Sequence, residues 1–345
     1  MLKSYIYSCC FCILFVQMQA QVRLSTPLEI LNFMEASPTQ YEVEQLFGDI
    51  EKRDRPVLPH GAFVEVIDGI EHTFEHKDMI GCKAEKWQLK AREMLSVENP
   101  NHTKIRKFYA KILKQEPNNA QVYTWLGESH YEEGNYEEAK EWLDKAIRLN
   151  NIDYLARWLL AEIHFKNEEL DSAVRAITIA HIYNRNNPRL LIRLKEIYKE
   201  KGLNYYQNWG FDPQYDVYQE KNTVVVAGDG IWLTYGMYKA VWNFDPDYRY
   251  IKEQQATTDY LFQEEMEAAI GTYMTYSSLK QQDKRGFPSM SAFEVALDQE
   301  MVEEYTMYEI LSVDRPTIAN YLTEDFLERL ISYIHKVRGQ NYVDN

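Results

Sequence analysis

Cysteine is nearly missing from the body of this chain. Four occur in 345 residues, and Cys9, Cys10 and Cys12 all lie within the first twenty, leaving Cys82 alone beyond them. One thiol makes no internal disulfide. Without a local catalytic signature, Cys82 reads as a small buried residue rather than a nucleophile. Positive charge is also in deficit, with 38 Lys and Arg against 53 Asp and Glu and a net charge of −15. Such a surface repels phosphate backbones and anionic headgroups, which argues against nucleic acid and electrostatic membrane binding and leaves basic or neutral partners. Long apolar runs are scarce as well. The stretch from Tyr5 to Met18 in "MLKSYIYSCCFCILFVQMQA" falls short of the roughly 20 residues that span a bilayer. With Lys3 before it and Ala20 after it, the stretch has the outline of a secretory signal peptide, residues 1–20. The expected protein is therefore exported, periplasmic or secreted after cleavage near Ala20. A lipoprotein is disfavoured, because no Leu–small–small pattern precedes Cys9, Cys10 or Cys12.

Apolar and aromatic residues are well supplied. They make up 45% and 14% of the chain, with 26 Tyr and 7 Trp, which excludes a disordered composition and provides for a large core. The middle of the chain repeats itself. In a register started at Ala120, Leu126 and Gly127 occupy places seven and eight, and Ala139, Leu143 and Ala146 follow at twenty, twenty-four and twenty-seven. A second start at Tyr154 puts Leu160, Ala161, Ala173, Ile177 and Ala180 at the same places. A third, at Pro188, yields one clear helix ending at Gly202. Small residues at these places let two helices approach closely. Gly134 and Asn135 suit a left-handed helix stop, whereas the second unit has Glu168 where that turn usually has glycine.

The 34-residue repeat, seen in "WLGESHYEEGNYEEAKEWLDKAI" and after it in "WLLAEIHFKNEELDSAVRAITIA", resembles the tetratricopeptide repeat family. "AEKWQLKAREML" and "TKIRKFYAKILKQEPNN" read as the two helices of an earlier unit. The resemblance covers residues 84–202 and implies stacked helix–turn–helix pairs whose first helices line a groove. Carried over from the family, that groove takes Gln121, Leu155 and Arg189 at the second place, and Thr124, Trp158 and Ile192 at the fifth. It takes Glu128, Glu162 and Glu196 at the ninth, and Tyr131, Phe165 and Lys199 at the twelfth. A column of carboxylates beside aromatics suits a basic and apolar peptide or helix. The alternative is that the glutamates are ordinary solvated helix formers and that the protein's own chain covers the aromatics.

The flanks are less regular. Residues 21–83 form an N-terminal segment. Thr26 and Pro27 open a short helix there, "YEVEQLFGDIEKR" reads as a second helix, and "FVEVIDGIEHTF" alternates as a β-hairpin turning at Asp68-Gly69. Residues 203–345 read as a helical domain. In it "NTVVVAG" is a short strand or buried extended segment, "IWLTYGMYKAVW" is a helix, one long pattern runs from Pro246 to about Gln282, and Thr323 caps a last helix. Motifs for chemistry are not found. His72 and His76 are spaced for a weak metal pair at best and read as solvated. His130 and His164 stand at a packing place of the repeat. Ser277 and Lys280 lack the rest of a penicillin-binding serine signature. The clusters Glu264-Glu265-Glu267 and Glu300-Glu303-Glu304 have no imidazole partners and read as solvated faces.

The expectation is an all-α protein, a tetratricopeptide-type solenoid followed by a C-terminal helical domain, with a small β-hairpin near the N-terminus. It is expected to be non-catalytic, with no cofactor and no metal. It would act as an adaptor or scaffold of the bacterial envelope or secreted space, binding another protein through the repeat groove. The alternative is a glycan or small-ligand protein using Trp209, Trp232 and Trp242 of the C-terminal domain as stacking platforms.

Overall fold

The computed structural model describes residues 23–46, 55–59, 63–67, 70–74, 82–255, 260–280 and 286–342. The signal-peptide reading and the Asp68-Gly69 turn lie outside these residues, as do His76 and the side chains of His72 and Cys82. In chain order the elements begin with α1 (Pro27–Ala36), β1 (Gln40–Gln45), β2 (Phe63–Ile67) and β3 (Ile70–Phe74). The repeat helices follow as α2 (Cys82–Leu95), α3 (His102–Leu113), α4 (Ala120–Glu132), α5 (Tyr136–Leu149), α6 (Tyr154–Lys166), α7 (Leu170–Tyr183) and α8 (Pro188–Lys201). Then come β4 (Tyr215–Glu220), β5 (Thr223–Gly228), α9 (Trp232–Phe244), α10 (Pro246–Gln255), α11 (Tyr260–Leu279) and α12 (Pro288–Asp298). The chain ends with α13 (Val302–Tyr305), α14 (Ser312–Asp314) and α15 (Glu324–Tyr333), interspersed with wider π-type turns at Thr306–Leu311 and Ile334–Arg338. The protein is thus predominantly helical. The expected hairpin is present as β2 paired antiparallel with β3, Phe63 opposite Phe74.

Two compact units form, each discontinuous in sequence. The repeat unit runs to Tyr205 and takes in Ser312–Gln340; the other combines the N-terminal segment with Tyr206–Leu311. The linear boundaries at residues 83 and 202 are therefore crossed by returning chain.

In the repeat unit the sequence pattern is realised place by place. Asn119 caps α4 and Asp153 caps α6, where Asp153 accepts the Ala156 amide at 3.0 Å. Asn187 and Pro188 open α8, and Gly202 closes it at φ 76°. Gly134 has φ 77°, and Glu168, at the equivalent turn, is held at φ 62° in spite of its side chain. Gly127 packs so closely on α5 that a methyl group there would lie 2.6 Å from Leu143 Cδ2. Ala139, Ala146, Ala161, Ala173 and Ala180 are fully buried. No second helix follows α8 directly. Instead α15 returns to pack on α7, and the turns beyond it bring His335 within 5.6 Å, centroid to centroid, of Tyr198 on α8. The third repeat, a single helix by sequence, is thereby completed by chain from far downstream.

The other unit departs from expectation at β1. Residues 40–45 form a strand where a helix was read. Tyr41, Val43 and Gln45 alternate with Glu42 and Glu44, a period of two. The strand lies parallel to the wholly apolar run Val224–Val226 of β5, with β4 antiparallel on the other side of β5. The long pattern after Pro246 is divided between α10 and α11, on either side of residues 256–259, which are not described. The clusters read as solvated faces are also corrected. Glu264, Glu267 and Glu304 are each 2% exposed. Glu264 and Glu265 both pair with Lys239 on α9. Glu267 accepts from the Ser25 amide and from Lys252 Nζ at 2.6 Å, from Trp242 Nε1 at 2.8 Å and from the Tyr248 hydroxyl at 3.0 Å. A buried acid there is held by a full set of donors, which a helical-wheel reading of glutamates does not reveal. Burial beside this carboxylate pushes the Tyr238 and Tyr248 phenols well above their ordinary range.

Candidate functional site

The candidate face runs along the first helices of successive repeats, α4, α6 and α8. Its best-defined part is built around a residue that the spacing argument passed over. Arg193, on α8, places Nε 2.6 Å from Glu162 Oε1 and Nη2 2.7 Å from Glu162 Oε2. Its Nη1 donates to Glu196 Oε2 at 2.8 Å. The guanidinium lies over the Phe165 ring, 4.6 Å from the centroid. Trp158 Nε1 donates to Glu162 Oε1 at 2.8 Å. Planar forked donation onto a carboxylate, with stacking on an aromatic, is the geometry arginine favours. The signal for Arg193 was present in sequence, one helical turn before Glu196 and on the helix beside that of Glu162. A search for repeated identities does not find a residue that occurs once.

The structure thus brings together Trp158, Glu162, Phe165 and Glu196, with one guanidinium shared between two of the three carboxylates in the expected column. Glu128 stands differently. It is half-buried and has no hydrogen-bond or ion-pair partner among the described residues. Burial, and then the like charge of Glu132 one turn on, raise its pKa above the ordinary glutamate value. Tyr131 is half-buried against Tyr136, with Lys166 Nζ 5.6 Å from its ring centroid. Gln121 is half-buried and Arg189 is exposed. Leu155 packs against the core between α5 and α6. Thr124 is not available to a partner. It is fully buried, and its hydroxyl donates to Asp153 at 2.5 Å, tying α4 to the cap of α6. Beside this row Ile192 of α8 is 60% exposed, a large apolar side chain left to solvent.

The other candidates resolve as packing. Trp209, Trp232 and Trp242 are buried and meet Tyr342, Phe211 and Tyr248 edge-on, so none offers a ring face to a sugar. His164 is paired with Glu169, and His130 is half-buried with its pKa lowered, chiefly by burial. Lys280 pairs with Glu294 at 2.7 Å, and Ser277 is exposed. Among the described residues no group of three or more His, Cys, Asp or Glu is placed to hold a metal, and no helix is long and apolar enough to cross a membrane.

Helix pairs of this length, stacked through small residues at fixed places, form a helical-repeat unit similar to tetratricopeptide repeats. Residues 99–178 match the family model for the anaphase-promoting complex, cyclosome, subunit 3, itself a family of such repeats. No curated protein matches the chain. Repeats of this class typically present their faces to other proteins.

Proposed function

We propose that the chain is a non-catalytic adaptor that binds a segment of another protein along the face formed by α4, α6 and α8. The observation that carries this reading is the surface itself: exposed Ile192, half-buried Trp158 and Phe165, and on the same face the carboxylate of Glu128, unpaired among the described residues. Apolar anchors flanked by an uncompensated charge suit an apolar segment that carries a positive group. Because Arg193 already occupies Glu162 with two hydrogen bonds and also reaches Glu196, attraction for that positive group falls chiefly to Glu128 and the exposed Glu132. An exported location belongs to the same proposal and rests on Lys3, the apolar run and Ala20. Fractionation of a C-terminally tagged chain tests it, and a tag confined to the cytoplasm with an unprocessed mass would refute it.

The test of the interaction is co-purification with the full chain and with a double variant, Glu128→Lys with Ile192→Glu. Both positions leave the helix-pair core intact. Partners recovered with the wild type should be lost from the variant while its circular dichroism and thermal transition are retained. The same partners at the same yield would refute binding on this face.

A further inference from the structure

We infer that Glu128 and Tyr131 form a receptor for an arginine side chain of the partner, the vacant counterpart of a site that the chain fills with its own Arg193. The inference rests on the reading that this face binds protein, and it names the chemistry of what enters. In the second repeat, Glu162 and Phe165 stand at the ninth and twelfth places and hold the guanidinium by two hydrogen bonds of 2.6 and 2.7 Å and by ring stacking at 4.6 Å. Thirty-four residues earlier the same pair recurs as Glu128 and Tyr131, again three apart on a first helix. The arginine does not recur; the Tyr131 ring has Lys166 beside it instead. The place of Arg193 in the preceding step of the repeat is taken by Leu159, which is buried in the core between α5 and α6.

The other donor is missing too. Trp158, which donates to Glu162, has Thr124 as its counterpart, and Thr124 is committed to Asp153. Glu162 therefore has three donor atoms on it, and Glu128 has none among the described residues. The charged group nearest along the helix from Glu128 is Glu132, and the charge of Glu128 itself bears on the Tyr109 phenol of α3. Lys166, the cation beside the Tyr131 ring, makes no ion pair with Glu128. Arginine fits better than lysine for the reason shown at Arg193: a planar fork can bond both carboxylate oxygens while its face lies on the ring, and a compact ammonium cannot do both.

The probe is a blocked twelve-residue peptide with one central arginine between apolar residues, compared with the same peptide carrying lysine. Binding to the full chain is read by fluorescence anisotropy and stoichiometry by calorimetry. The arginine peptide should bind about five- to tenfold more tightly than the lysine peptide, the ratio worth roughly the net contribution of one ordinary hydrogen bond. Glu128→Gln should remove that preference, and Tyr131→Leu should reduce it. Arg193→Gln should open the second site, so that two arginine peptides bind per chain in place of one. Equal affinity for both peptides, weakened alike by Glu128→Gln, would overturn the arginine receptor and leave the peptide-binding face standing. A site gained in Arg193→Gln with none in the wild type would show that the face accepts arginine but that Glu128 and Tyr131 do not form the receptor. No saturable binding to either protein would overturn both.

Discussion

Neutralising Glu267 should unfasten the N-terminal segment from the unit that holds it. Its carboxylate gathers the Ser25 amide, Trp242, Tyr248 and Lys252, and Lys252 also donates to the Arg23 carbonyl at 2.6 Å. Lys252 and Glu267 are 4% and 2% exposed as side chains. Two charges at that depth have been taken out of water, so each depends on the other and on the neutral donors around it. Removing one partner of such a pair costs about 3–5 kcal/mol, because the remaining charge stays buried without compensation. Glu267→Gln keeps one carbonyl oxygen for the Trp242 and Tyr248 donors and belongs at the lower end, about 3 kcal/mol. Lys252→Met strands the carboxylate itself and belongs higher. The double variant should cost clearly less than the two singles together, since the second change removes the charge that the first left stranded.

Against a total stability of about 5–15 kcal/mol, such a loss is a large share. Urea unfolding followed by tryptophan fluorescence measures it, and hydrogen exchange locates it. The Ser25 amide should be protected in the wild type and exchange about a hundredfold faster in Glu267→Gln, the factor expected if roughly 3 kcal/mol of local closure is lost. A cost under 1 kcal/mol for Glu267→Gln would refute the reasoning. So would a Ser25 amide that exchanges at the same rate in both proteins. Either result would mean that the carboxylate is solvated in place and that the segment is held by α1 alone.

Two further expectations concern single residues of the repeats. Glu168 occupies the left-handed region, φ 62°, at the turn where Gly134 sits at φ 77°; Glu168→Gly should stabilise the chain by up to about 1 kcal/mol, and Gly134→Ala should destabilise it by a similar amount, both read from thermal transitions. Glu128 has a raised pKa in the folded chain, so its ionisation opposes folding: wild-type stability is fullest below the unfolded glutamate pKa of about 4.3 and falls as pH rises through the folded value. Glu128→Gln should therefore raise stability at pH 7, by at least the 0.2–0.5 kcal/mol or so of an unfavourable like-charge pair with Glu132. The gain should vanish near pH 4, and a gain independent of pH would show that the charge is not its source.

The repeats were legible because their physics is local and periodic. Gly127, Ala139 and Leu143 each need their neighbours in register, so the requirement recurs along the chain and can be read without a structure. The same holds for α1, where the Thr26 hydroxyl accepts the Glu29 amide and Glu29 returns to the Thr26 amide, all within four residues. What escaped reading depends on distant chain. Tyr41–Gln45 alternates with a period of two over too few residues to outweigh a helical reading of the longer stretch to Arg53, and it is a strand where Val224–Val226 offers it an edge. Glu267 looks solvated until Lys252, Trp242 and residue 25 close over it. The partner of α8 comes from beyond residue 311, and no period predicts a helix that joins a repeat from outside the repeat.

At the site, periodicity set three carboxylates in one column and did not read what surrounds each of them. The argument from Glu128, Glu162 and Glu196 treats equal places as equal environments. The structure shows that one arginine, present once, divides them: Glu162 and Glu196 are spent on holding α8 beside α6, and Glu128 has no partner among the described residues. A stability criterion alone would remove an uncompensated, half-buried carboxylate from such a face, since glutamine would serve the fold better. Its presence in a repeat whose sibling position is neutralised internally is what a receptor for an external cation requires. The destabilisation expected of Glu128 at neutral pH and the affinity expected of it for a guanidinium are then two measurements of one unmet electrostatic demand.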